Sequence, residues 1–111
     1  MNLGYARGSM YSQQLDLLED YPVDELFSDG SEEALDLFSP ESDFCQLLAY
    51  GEEGDCLVVV SLEVLSRDYR GLLACLDELE RLGMALEVLT LPQLSIDEWR
   101  QIFQWSLRNN R

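Results

Sequence analysis

An α/β fold, a mostly parallel sheet of four to five strands flanked by helices, is predicted by three adjacent features of this sequence. Residues 56–60 form a continuous, mostly β-branched apolar run, the pattern of a strand covered on both faces. Residues 69–82 place Leu72, Leu76 and Leu79 at i, i+4 and i+7, which gives a helix with one apolar face, and Gly83 supplies its stop. Residues 84–89 then return as a strand. A strand, helix and strand in succession are the unit from which parallel sheets are built.

The remaining elements follow in chain order. Residues 2–6 read as the first strand, and residues 13–20 as a short helix that ends before Pro22, whose ring disfavours helix in the residue preceding it. Residues 24–27 read as a second strand. Ser28, Asp29, Gly30 and Ser31 are turn chemistry, and residues 30–41 are expected to form a mobile acidic loop. Residues 42–50 read as a helix with Phe44, Leu47 and Leu48 on one face. At the far end Ser95-Ile96-Asp97-Glu98 is a capping box, serine accepting from an early N–H while glutamate reaches back, so an amphipathic helix spans residues 95–108. Its stripe of Ile96, Trp99, Phe103 and Leu107, widened by Ile102 and Trp105, is expected to pack on the sheet. An exposed aromatic face that serves a helix partner is the alternative.

A chain of 111 residues is expected to be one domain, residues 1–111, with a single core and no separate DNA-reading domain. Seven arginines and no lysine face 22 acidic residues, giving a formal charge of −15, which repels nucleic acid at long range. Between Arg7 and Arg67 there is no basic residue, while fourteen Asp and Glu fall from Asp16 to Asp55. Such a run reads either as a solvated acidic surface or as a negative face for a basic partner. Histidine is absent, and Cys45, Cys56 and Cys75 lack paired metal spacing, so no metal and no cofactor is expected. The cysteines read as small core residues in a reducing compartment. No charged leader and no long apolar run suggests export or membrane insertion, which places the expected location in the cytoplasm.

The chemistry-bearing segment is Gly4-Tyr5-Ala6-Arg7-Gly8-Ser9-Met10-Tyr11-Ser12-Gln13-Gln14. In an extended segment residues i and i+2 project from one side, so Arg7 and Ser9 are expected to face one site, with Gly8 admitting a ligand to the backbone. On residue type alone, Ser9 also reads as the N-cap of the helix that follows. Arg7 and Arg67 read equally as surface ion-pair partners of Asp68 or Glu63.

This segment resembles the Tyr-Ala-Arg-Val-Ser-Thr-x-x-Gln opening of the serine recombinases, the resolvase and DNA invertase family. Residues 54–68 resemble that family's Gly-Asp, apolar strand and Leu-Asp-Arg-Leu-Gly-Arg segment, and residues 72–86 resemble its next helix and strand. The resemblance implies a resolvase-like three-layer fold. It also implies that Ser9 holds the position of the nucleophile that attacks the DNA backbone. Arg7 and Arg67 then hold phosphate-stabilising positions, and Gln13 that of the motif glutamine. Arginine suits such a task because its fork stays charged and meets phosphate oxygens in pairs.

The departures from the pattern bear on activity. Glu63 and Val64 stand where the family has its Asp-Arg pair, and the catalytic arginine of the family's mobile loop falls near Glu41. A unit charge about 6 Å from a phosphate is worth roughly 2–3 kcal/mol at an effective dielectric of about 20, so reversing one sign moves the balance by about twice that. The expectation is a stand-alone recombinase-like domain deficient in strand exchange. It would act as a regulatory module through protein contacts, with itself, a full-length recombinase or a basic DNA-binding protein, and would bind DNA weakly or not at all alone. The alternative is an active recombinase or DNA-nicking subunit that uses Ser9 to attack the phosphodiester.

Overall fold

The sequence of apolar runs builds a four-stranded, wholly parallel sheet. The computed structural model describes residues 1–30 and 37–109. In chain order the elements are β1 (Asn2–Ala6), α1 (Tyr11–Glu19), β2 (Glu25–Ser28), α2 (Asp43–Tyr50), β3 (Cys56–Val59), a 3₁₀ turn (Leu62–Val64), α3 (Tyr69–Leu82), β4 (Ala85–Val88) and α4 (Ile96–Asn109). The strands lie in the order β2-β1-β3-β4. Leu3 is in register with Glu25 on one side and with Leu57 on the other, and Leu57 with Leu86. No fifth strand occurs among the described residues. Half of the expected acidic loop, residues 31–36, lies outside those described.

Strand periodicity sorts the core into two layers. Leu3, Tyr5, Leu57, Val59, Leu86 and Val88 face α2 and α3, whereas Ala6 and Val58 face α1 through Leu18. One helix therefore covers one face and two cover the other. α3 buries Leu72, Cys75, Leu76 and Leu79, a continuous stripe at helical spacing. Its start is capped by Asp68, which accepts the Gly71 N–H at 2.7 Å. Its end is set by Gly83 at φ +73°, a left-handed position that glycine takes without steric cost.

α4 departs from expectation. It packs across α3 rather than on the sheet, with Phe103 against Tyr69 (ring centroids 6.0 Å) and stacked on Trp99. Arg100 reinforces the crossing by donating to Asp77 and Glu80 of α3, each at 2.9 Å. The capping box forms as expected: the Ser95 N–H donates to Glu98 Oε1 at 3.0 Å and the Glu98 N–H to Ser95 Oγ at 3.2 Å. Only Trp99 and Phe103 of α4 are buried, leaving Ile102, Trp105 and Leu107 at 45, 61 and 37% exposure. The apolar stripe is thus wider than the surface α3 offers it.

Among the described residues no helix is long and apolar enough to cross a membrane. None of their His, Cys, Asp and Glu side chains cluster in a way that could hold a metal ion.

Candidate functional site

The strand order reverses between β1 and β3, since the chain leaves β1 toward β2 on one side and leaves β3 toward β4 on the other. In open parallel sheets such a reversal splays the following loops and opens a crevice beyond the carboxyl ends of the two strands. A cavity of about 550 Å³ lies there. Its walls are the loop after β1, the first two turns of α1, and the segment from Val60 through the 3₁₀ turn to Arg67.

Six of the seven residues singled out in the sequence line this cavity: Arg7, Ser9, Gln13, Glu63, Val64 and Arg67. The seventh, Glu41, does not. It is exposed, one residue before the N-cap of α2, and its N–H donates to Ser39 Oγ at 3.3 Å. Ser9, Gln13, Glu63 and Arg67 are exposed, Arg7 is half-buried and Val64 is buried. Glu63 is the one carboxylate among the described residues that line the cavity. Two guanidinium groups, the hydroxyls of Ser9 and Ser61, two carboxamides and this carboxylate therefore share one opening whose other walls include Met10, Leu17 and Val60.

The loop that presents Arg7 and Ser9 is not extended. Gly8 sits at φ +82° and Met10 at φ +60°, so two residues in three are left-handed. Where the resembled motif has valine, only a residue without Cβ takes such a φ freely. Methionine has no such licence, and a left-handed non-glycine residue costs on the order of 1 kcal/mol or more. Met10 is the N-cap of α1 and provides no side-chain cap, so Ser9 is not the N-cap that its residue type suggested. The helix consequently starts at Tyr11, two residues earlier than its pattern indicated.

Several contacts hold this geometry that the motif did not announce. Gln14, 5% exposed, accepts the Arg7 N–H on Oε1 at 3.0 Å and donates from Nε2 to the carbonyls of Arg7 (2.8 Å) and Ser9 (2.9 Å). The Gly8 N–H donates to the Gly30 carbonyl at 2.9 Å, joining the loop to the chain beyond β2. Next to it, the Asp29 carboxylate accepts from the Tyr5 hydroxyl and from the N–H groups of Asp43 (2.7 Å) and Phe44 (3.2 Å). A carboxylate at the first turn of α2 also meets the positive end of that helix. Burial first, and the bond to Asp29 second, hold the Tyr5 hydroxyl far above the usual phenol range, so it remains a donor. Residue type gave no hint of Tyr5, Asp29 or Gln14, since each acts on a neighbour that only the fold brings near.

On α3, burial pushes the Cys75 thiol up to about 12 against a downward pull from the Arg7 charge. That thiol stays protonated and inert at neutral pH. Of the two hydroxyls that line the cavity, that of Ser9 is the candidate nucleophile by its place in the resembled motif, and Arg7 and Arg67, suited to an anion, share its walls.

Comparison with known proteins bears on the family and the fold. The family model described as the resolvase N-terminal domain matches residues 3–104. Among solved structures, the N-terminal catalytic domain of TP901-1 integrase superposes with a TM-score of 0.71 at 16% identity, covering 99% of this chain and 98% of that one. The C-terminal catalytic domain of ISC1926 TnpA, an IS607-like serine recombinase, gives a TM-score of 0.62 at 16% identity over 96% of this chain and 79% of that one. A search of curated protein sequences finds no match.

Proposed function

The chain belongs to the family of the resolvase N-terminal domain, a serine-recombinase catalytic-type domain, and from that premise we propose that it is a recombinase-like module deficient in strand exchange on its own. It acts through protein contacts as a regulatory partner. The observation that carries this reading is the composition of one cavity: Arg7, Ser9, Gln13 and Arg67 together with Glu63 and Val64. Ser9 is the nucleophile position, Arg7 and Arg67 the phosphate-stabilising positions, and Gln13 the motif glutamine.

The argument is one of charge. A serine that opens a phosphodiester needs the developing negative charge neutralised, and a metal-free site does this with clustered arginines. Here two arginines share the cavity walls with a carboxylate. Val64 adds no charge where the family carries an arginine. Losing one oxyanion donor typically costs on the order of 10² to 10³ in rate, and further losses are at least as severe as the worst single one. Over the whole chain, a formal charge of −15 opposes the approach of any duplex. A protein partner meets no such barrier and can present its own basic surface.

The test is covalent capture. A nicked suicide duplex, incubated at saturating concentration with the chain, should yield no phosphoserine adduct on a denaturing gel, with Ser9→Ala as reference. A Ser9-dependent adduct would instead establish the rival reading of an active DNA-nicking or recombinase subunit, which the exposure of Ser9 beside Arg7 and Arg67 favours.

A further inference from the structure

We infer that Gln14, which lies outside the resembled motif, is the positioning residue that fixes Arg7 and Ser9 relative to one another. Its carboxamide spends three hydrogen bonds on one loop: Arg7 N–H to Oε1 at 3.0 Å, and Nε2 to the carbonyls of Arg7 at 2.8 Å and Ser9 at 2.9 Å. The two bonds to Arg7 are those that a neighbouring strand gives a paired β residue. Gln14 therefore continues β1 one residue beyond its last strand position, with a side chain in place of a backbone. The third bond sets where the chain travels after Gly8, between left-handed residues at φ +82° and +60°. The orientation of the amide is forced, because an N–H must meet Oε1 and two carbonyls must meet Nε2. Gln13, one residue earlier, is turned by about 100° around the helix, and it is exposed in the cavity wall. The two glutamines have different tasks, one facing the cavity and the other holding its rim.

Side-chain chemistry separates this role from simple packing. Gln14→Met keeps length and apolar volume and removes all three bonds. Gln14→Glu keeps an acceptor for Arg7 but, ionised, sets an oxygen against two carbonyls; protonation restores one donor. The inference rests on the reading of Arg7 and Ser9 as one anion-facing site, yet its test needs no ligand.

Backbone amide exchange and ¹H–¹⁵N shifts of the whole chain give the measurement. Gln14→Met should speed exchange at the Arg7 amide by about tenfold, as expected when a local opening loses a hydrogen bond or two, and leave Leu57 and Val58 of β3 unchanged. In Gln14→Glu the Gly8 and Ser9 signals should return toward their wild-type positions as pH falls from about 7 to about 4, through the carboxyl range. Unchanged Arg7 exchange in the methionine variant would overturn the inference. A uniform rise that includes Leu57 and Val58 would overturn it as well, by making Gln14 an ordinary packing residue. Titration with inorganic phosphate distinguishes the two levels. Wild-type Gly8 and Ser9 signals that ignore phosphate, while the exchange result holds, refute the anion-site reading and leave the clasp standing.

Discussion

At the level of single residues, the cavity shows which parts of a site a linear motif can announce. Arg7, Ser9, Gln13 and Arg67 were legible because their spacing repeats a known pattern, and Glu63 and Val64 because they break it. Gln14, Met10 and Asp29 were not legible, since their work is done through backbone groups that the fold carries to them. The charge argument makes a prediction at Glu63. This carboxylate is exposed, so screening reduces its opposition to a bound anion to about 1 kcal/mol or less. Glu63→Gln should tighten binding of inorganic phosphate by up to about fivefold in an NMR titration; unchanged affinity would show that Glu63 is irrelevant to the site. Tyr5 supplies a second case. Tyr5→Phe removes the donor to the charged Asp29 and should lower stability by about 1.5–3 kcal/mol in urea unfolding, the usual worth of a hydrogen bond to an ionised group.

The elements themselves were readable wherever a pattern had a local cause. α3 matched its expected limits because a leucine stripe runs along it and a cap and a left-handed glycine adjoin its two ends. β1 likewise matched. α1 began early because Met10 accepts a strained left-handed backbone, which residue preference argues against. The placement of α4 on α3 rather than on the sheet was hidden for another reason, since an amphipathic stripe states that a face is buried but not against what. Within that face the indole Nε1 of Trp99 is buried and, among the described residues, has no hydrogen-bond partner. Trp99→Phe should therefore cost little, about 1.5 kcal/mol or less, while Phe103→Ala should cost about 3–5 kcal/mol by thermal or chemical unfolding.

A further consequence at this scale concerns the tie between the start of β1 and the segment before β3. The Met1 ammonium donates to Asp55 Oδ1 and the Glu52 N–H to Oδ2, both at 2.8 Å. These bonds lower the Asp55 carboxyl below its ordinary 3.8 and raise the amine above its ordinary 8.0. A lowered acid stabilises the fold above its unfolded value, and that contribution is lost as pH falls through the folded one. A raised amine stabilises the fold below 8.0, and its contribution is lost as pH rises through its folded value. Melting temperature in a chain with a free amino terminus should therefore decline on the acid side of about 3.8 and again just above 8.0. The half-buried thiol of Cys56 and the buried one of Cys75, both raised from 9.0, add a further loss only above that pH. Asp55→Asn should weaken the decline above pH 8.0, leaving the smaller part due to Asp24, and soften the acid one, leaving the part due to Glu98, whose carboxyl is lowered by its capping bonds to Ser95.

On the scale of the whole molecule, fold and charge point in different directions. The four parallel strands and the three layers are those of a serine-recombinase catalytic-type domain. The chain carries 22 acidic residues against seven basic ones, a balance that disfavours any polyanion. Fold class was legible from three adjacent segments, since apolar strands alternating with a helix admit few other architectures. The central claim is that this scaffold holds too little positive charge to bind DNA unaided. Fluorescence anisotropy of a labelled duplex, titrated with the chain at about 50 mM and about 200 mM salt, tests it most directly, because a protein that neutralises many phosphates loses about 10³–10⁵ in affinity across that range. The account predicts no saturable binding at either concentration. Tight binding at low salt that collapses at high salt would contradict it.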